Sequence, residues 1–171
     1  MTAETIILTV IAPDRPGIVQ QLSDTIRAHH GNWLESSLSR LGGQFAGVVS
    51  VSIESAAVNA LKEQLSALLS DDIDVKIHQQ LVSEETITKN VLMIEVEAND
   101  RAGIVEEIST ALANQAINVE KITTRCESAS MAGYDLFKAR LQVALKEGMT
   151  NEDLELILEN ISDDVMVMIV S

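Results

Sequence analysis

Cysteine, aromatic residues, proline and basic charge are all scarce in this chain. Cysteine occurs once, at Cys126, so neither an intrachain disulfide nor a thiolate metal cluster can form. Its place late in a strand-like run predicts a small buried or half-buried hydrophobe. Aromatics make up 2% of the residues, which leaves Leu, Ile, Val and Ala to do most of the packing within an apolar content of 46%. Twelve Lys and Arg face 26 Asp and Glu, a formal charge of −14. Both halves are acidic, with 5 basic against 11 acidic residues in 1–85 and 7 against 15 in 86–171. A nucleic-acid footprint needs the opposite sign, so direct DNA or RNA binding is not expected. No apolar run approaches the ~20 residues of a membrane span, and no charged n-region with an apolar h-region opens the chain. The expectation is a soluble, cytoplasmic protein without a membrane partner.

Against these absences stands a repetition. Asp14-Arg15-Pro16-Gly17-Ile18-Val19 returns 86 positions later as Asp100-Arg101-Ala102-Gly103-Ile104-Val105. An apolar, strand-like run precedes each copy and an amphipathic, helix-like run follows it. A repeat of this length is a domain rather than a solenoid unit of roughly 20–50 residues. Two domains of about 85 residues fit the chain.

In the first copy Thr5 to Ile11 reads as a central strand, β-branched and apolar, punctuated by Pro13 and Pro16. Ile18, Val19, Leu22 and Ile26 then fall at helical spacing, predicting a helix from Pro16 to His30 that Gly31 ends as a C′ glycine. Trp33 to Leu41 and Phe45 to Ile53 read as a strand pair about a Gly42-Gly43 turn, with Gly47 allowing close approach. Val58, Leu61, Leu65 and Leu68 mark a second helix, and Asp72 to Gln79 a last strand with Ile73, Val75 and Ile77 inward. The second copy repeats the order. Its hairpin carries about six extra residues between Glu127 and Asp135, since Phe45 and Phe137 are 92 apart rather than 86. The fold class is therefore α+β: two tandem ferredoxin-like βαββαβ units, antiparallel sheets with helices on one face. The expected boundaries are 1–80, a polar linker at 81–90, and 91–171.

Catalytic patterns are missing. There is no phosphate-binding G-x-x-x-x-G-K-[ST] loop, His29, His30 and His78 lack ligand spacing, and Ser36, Ser37 and Ser39 have no base implied nearby. Asp71-Asp72 and Asp163-Asp164 read as solvated turns before the final strands. No enzyme activity, cofactor or metal is expected. The Asp-Arg-x-Gly turns remain, and two readings of them stay open. Asp14 and Asp100 could relieve unpaired N–H groups at a helix start and complement its dipole. Alternatively, each turn holds an amino acid, its carboxylate on the backbone N–H groups and its ammonium on an Asp carboxylate or on the oxygen of Asn32 or Asn118. Gly17 and Gly103, lacking a Cβ, would let a ligand approach.

The paired D-R-P-G-I-V and D-R-A-G-I-V turns in two βαββαβ units, with Asn32 and Asn118 at the second strands, resemble ACT domains, ferredoxin-like modules that commonly bind amino acids. Two such units, with the Leu41-Gly42-Gly43-Gln44-Phe45 hairpin, are most similar to the glycine cleavage system transcriptional repressor family. That resemblance implies a non-enzymatic regulator that senses a small amino acid, glycine favoured, and holds a LysR-type activator in a repressing state. It does so without reading DNA itself. It carries Asp14, Arg15, Pro16, Gly17, Ile18 and Asn32, and Asp100, Arg101, Gly103, Ile104 and Asn118, over as ligand residues. Arg15 and Arg101 either serve the ligand carboxylate or pair on the surface, surface pairing being favoured. Ala102 in place of Pro16 puts equal binding at the two turns in doubt, and the first turn is preferred. The alternative function is an ACT-type regulatory or interaction subunit of an amino-acid metabolic enzyme. A homodimer stays open.

Overall fold

The computed structural model describes residues 2–79, 90–128 and 133–170. The chain divides into two compact units, Met1–Ser83 and Glu84–Ser171. Residues 81–89 of the expected linker and 129–132 of the longer hairpin lie outside the described residues. Asn90, assigned to the linker from sequence, opens a strand instead.

In the first unit, strand β1 (Ala3–Pro13) is followed by helix α1 (Ile18–Ala28), β2 (Asn32–Leu41), β3 (Gln44–Glu54), α2 (Val58–Ala67) and β4 (Asp74–Gln79). All pairings are antiparallel and the sheet order is β2-β3-β1-β4. The second unit repeats this with β5 (Asn90–Asn99), α3 (Ile104–Asn114), β6 (Asn118–Ser128), β7 (Asp135–Leu145), α4 (Asn151–Glu159) and β8 (Met166–Val170), in the order β6-β7-β5-β8. The βαββαβ reading thus holds in both copies.

Side chains alternate across each sheet, so one parity of residues meets the helices. In β1 these are Ile6, Leu8, Val10 and Ala12; they pack with Val49, Val51 and Ile53 of β3, with Ile18, Leu22 and Ile26 of α1, and with Leu61 and Leu65 of α2. The second core is built alike, from Ile94, Val96 and Ala98, from Phe137, Ala139, Leu141 and Val143, from Ile104, Ile108 and Leu112, and from Leu154 and Leu158. Each sheet is therefore covered by helices on one face. On the opposite face of the second sheet, the charges that alternated in sequence pair across the ladder. Arg140 bonds Glu95 through Nε at 2.9 Å, and Lys138 Nζ lies 3.3 Å from Glu97 and 3.1 Å from Glu127.

Two local turns explain the register. Gly42 and Gly43 have φ of 58° and 79°, the pair of positive values that a two-residue type I′ hairpin requires, and they set Leu41 opposite Gln44. The end of α1 differs from the sequence reading. His30, not Gly31, takes the left-handed C′ position at φ 57°. Gly31 is the residue after it, its N–H donating to the Ile26 carbonyl at 3.0 Å while His30 donates to Arg27 at 3.0 Å, a Schellman motif. Glycine is needed there for space: a Cβ at Gly31 would lie 2.8 Å from Ile26 Cγ2. Ala116 occupies the same C′ position after α3, at φ 56°.

Candidate functional site

In both units the repeated hexapeptide forms one turn between the central strand and the first helix. Asp14 N–H donates to the Gly43 carbonyl at 3.0 Å, and Asp100 N–H to the Asp135 carbonyl at 2.9 Å, so each turn is tied to the adjacent hairpin. Gly17 and Gly103 both sit at φ 93°, the third position of a type II turn, where an L side chain is strained. The glycine thus has a conformational reason as well as an open one, since a Cβ on either would meet nothing within 4 Å. Helix α1 starts two residues later than predicted: it runs from Ile18, and Pro16 belongs to the turn before it.

The capping reading of the aspartates is corrected here. Gly17 and Gly103 are the N-caps, and neither helix start receives a side-chain cap hydrogen bond. The first hydrogen bonds of the helices run from Gln21 N–H to the Gly17 carbonyl at 2.9 Å and from Glu107 N–H to Gly103 at 3.0 Å. By helix geometry, the N–H groups of Val19 and Gln20, and of Val105 and Glu106, come before any intrahelical acceptor. Asp14 instead bonds Arg40 of β2, Nη1 to Oδ2 at 3.3 Å.

Around the first turn, Asp14, Arg15, Gly17, Ile18, Val19, Gln20 and Phe45 line an open depression of about 250 Å3. Ile18 contributes backbone, because its side chain is in the core, as is that of Ile104. Arg15 donates from Nη2 to the Asp71 carbonyl at 3.1 Å, and Gln21 Nε2 donates to Asp71 Oδ2 at 2.7 Å. Arg101 bonds Glu107 at 2.5 Å, with its other terminal nitrogen, Nη1, buried and without a hydrogen-bond partner. Both arginines therefore make contacts within their own unit.

Asn32 and Asn118 lie elsewhere. The register sets Asn32 opposite Ser52, eight positions along β3 from Gln44, which faces Pro13 beside the turn. Asn118 faces Ala144, eight positions along β7 from Leu136. At ~3.4 Å per residue that separation is about 27 Å. Within one unit a small amino acid cannot touch both the turn and the asparagine, and Asn118 Nδ2 bonds Glu120 at 2.8 Å.

Two further sequence readings change. Cys126 is exposed, not buried, and stands at the β6 position that Arg40 holds on β2: Arg40 faces Phe45 and Cys126 faces Phe137. Its surroundings on the strand, then the Asp100 carboxylate that accepts its hydrogen bond, and the charge of Asp135 push the thiol pKa up, so it is not an activated nucleophile. Asp164 is more than a solvated turn. Its carboxylate accepts from Ser162 Oγ at 2.5 Å and from the Asn99 N–H at 2.9 Å, and these bonds hold its pKa below the ordinary range. Arg40, Phe45, Asp71 and Asp164 were missed as neighbours of the turns. Arg40 and Phe45 were within reach, because a two-residue hairpin after Leu41 sets them opposite each other. Among the described residues no polar residue is buried as a whole, the Arg101 Nη1 atom apart, and no group of three His, Cys, Asp or Glu is placed to hold a metal ion. No helix among them is long and apolar enough to cross a membrane.

Residues 4–80 match the family model of the ACT domain. The match spans nearly the whole of the first unit. The whole chain has a tandem ACT-like fold. It superposes on an unknown protein from Galdieria sulphuraria with a TM-score of 0.80, at 24% identity over 99% of this chain and 100% of that one. It superposes on a candidate glycine cleavage system transcriptional repressor with a TM-score of 0.73, at 14% identity over 100% and 99% of the two chains. At such identities the likeness is one of fold. No curated protein matches the sequence.

Proposed function

We propose that this protein is a non-enzymatic amino-acid sensor, with glycine as the favoured ligand, that lowers transcription of glycine cleavage genes by contact with a LysR-type activator in the cytoplasm. The observation that carries the reading is the open depression at the start of α1, where first-turn N–H groups face out beside the Asp14 carboxylate. A ligand carboxylate accepts hydrogen bonds from the Val19 and Gln20 N–H groups at the positive end of the helix dipole. Its ammonium is complemented by Asp14. The N–H groups carry no competing side-chain cap, so binding displaces only water.

The protein partner is supported by the full-length likeness to a candidate repressor and by the charge of −14, which suits protein contact better than phosphate contact. Glycine relieves repression if it binds the free and partner-bound forms unequally. A coupling of about 1–3 kcal/mol gives a 5- to 150-fold switch. Calorimetric titration of the full chain with glycine, serine and alanine is the test. Glycine heats saturating at or below millimolar concentration are expected, and silence across all three amino acids at that concentration would sink the sensor reading.

A further inference from the structure

The edge of a sheet is a row of backbone N–H and C=O groups without partners, and proteins guard such edges with charge, proline or bulges. Of the four edge strands among the described residues, three are guarded. Strand β2 carries Glu35 and Arg40 and shifts register between Trp33 and Glu35. Strand β6 carries Glu120, Lys121, Arg125 and Glu127 and shifts register between Val119 and Lys121. Strand β4 carries Asp74, Lys76 and His78. Strand β8 has none of these devices. It reads Met166-Val167-Met168-Ile169-Val170, pairs with β5 alone among the described strands, and keeps one register throughout.

The two faces of β8 meet different surroundings. Met166 and Met168, 59% and 60% exposed, stand with Val170 on the open face of the sheet. The charges beside them, Glu95 and Glu97, are already engaged by Arg140 and Lys138, which leaves an apolar strip along the edge. Val167 and Ile169 face the helices, where α4 packs against β8. That helix carries Glu152, Asp153, Glu155 and Glu159 and no basic residue. Asp153 serves the cap of its own helix, whereas Glu152, Glu155 and Glu159 have no Lys or Arg partner among the described residues. Their spacing sets all three on one stripe of α4. The β7-α4-β8 connection passes over β5, and such crossovers are right-handed. Combined with the right-handed sense of the helix, this turns the Glu155 and Glu159 flank toward the free edge of β8 and half-buried Ile157 toward the interior.

We propose that the outer edge of β8 is a docking site for an extended segment of another protein in which basic and apolar residues alternate. Added beside β8, a segment of five residues, the length of that strand, takes up its free N–H and C=O groups. Its apolar residues continue the strip of Met166, Met168 and Val170, where the flexible methionines adapt to their shape. Its Lys or Arg residues lay their stems along Ile169 and reach the carboxylates of α4. A second copy of this chain is a poorer occupant, because pairing β8 with β8 brings two acidic stripes together. The site lies outside the amino-acid site proposed above and does not depend on it.

The experiment is fluorescence anisotropy of a labelled peptide alternating Lys and Val over about seven residues, titrated with the full chain. One comparison peptide groups the same residues by type; another keeps the alternation but is methylated on its backbone nitrogens. The alternating peptide is expected to bind about tenfold or more tighter than its grouped isomer, and the methylated one, which cannot complete the ladder, not at all. Glu155→Gln combined with Glu159→Gln should weaken binding about threefold. Met168→Lys, which sets a guarding charge on the edge at an exposed position, should abolish it. Circular dichroism melts check that both variants keep their fold. No binding of the alternating peptide up to about 1 mM overturns the proposal. Equal binding of the two isomers does so too, since charge alone then accounts for it, as does unchanged binding in either variant. A full chain that sediments as a dimer and turns monomeric in Met168→Lys overturns it as well, because a second copy then takes the edge.

Discussion

At the residue scale, glycines carry unlike burdens that the letter alone does not distinguish. Gly17 is required by its positive φ and has empty space above it; Gly31 has an ordinary conformation and is required by the Ile26 side chain. Gly47 is the most constrained. A Cβ there would lie 2.0 Å from the Ser37 carbonyl oxygen and 2.8 Å from Leu38 Cα, both backbone atoms that cannot turn aside. Gly47→Ala must therefore push β2 away from β3. We expect a loss of about 3 kcal/mol or more, toward the upper end for single substitutions, read as a lowered urea midpoint. Gly17→Ala should cost about 1 kcal/mol, the price of the backbone conformation alone. Equal losses at the two positions would contradict this account.

At the element scale, the helices described do not all start alike although each has a core stripe. Helices α1 and α3 begin on a left-handed glycine with no side-chain cap, whereas α4 begins on Thr150 in a full capping box. Asp153 N–H donates to Thr150 Oγ1 at 3.2 Å, and the Thr150 N–H donates to Asp153 Oδ2 at 2.9 Å. Those hydrogen bonds hold the Asp153 carboxyl below its usual pKa, as the bonds from Ser162 and Asn99 hold Asp164. A depressed carboxyl contributes stability that is present above its unfolded pKa, about 4, and is lost as pH falls through the folded value. The second unit should consequently lose stability on acidification below about pH 4. In Thr150→Ala the neutral-pH stability falls by about 1 kcal/mol, the usual loss of a cap, and the acid dependence becomes shallower. Thermal melts from pH 7 to pH 2 check both parts. An unchanged acid slope in Thr150→Ala would remove the capping box from the explanation.

At the scale of the whole molecule, the two units have separate hydrophobic cores, so a ligand bound at the first turn, as the proposed function has it, would stabilise the unit that holds that turn. Trp33, the sole tryptophan, lies on β2 against the first core and reports on that unit. Glycine at 100 times its Kd should raise the stability seen at Trp33 by about 2.7 kcal/mol, because ligand bound to the folded form alone shifts unfolding by mass action. A denaturant titration followed by tryptophan fluorescence, with and without glycine, measures it. No shift at Trp33 under saturating glycine would be incompatible with a site at Asp14 to Gln20.

The sequence by itself determined the duplication, the order of elements and the inward residues, because periods of 2 and 3.6 are local consequences of backbone geometry. Leu92 to Ala98 alternating with glutamates, and Ile104, Ile108 and Leu112 at helical spacing, each need only their own neighbours to be read. Only the tertiary structure decided which side chains share a turn. Asn32 looked near the site in chain order, yet antiparallel register carries it to the far end of the sheet. Arg40 and Cys126 are remote in sequence from Asp14 and Asp100, yet strand pairing brings them alongside. Helix capping by the aspartates failed for the same reason: each carboxylate meets a partner across the hairpin, Arg40 for Asp14 and Cys126 for Asp100, whatever its distance along the chain from the helix start.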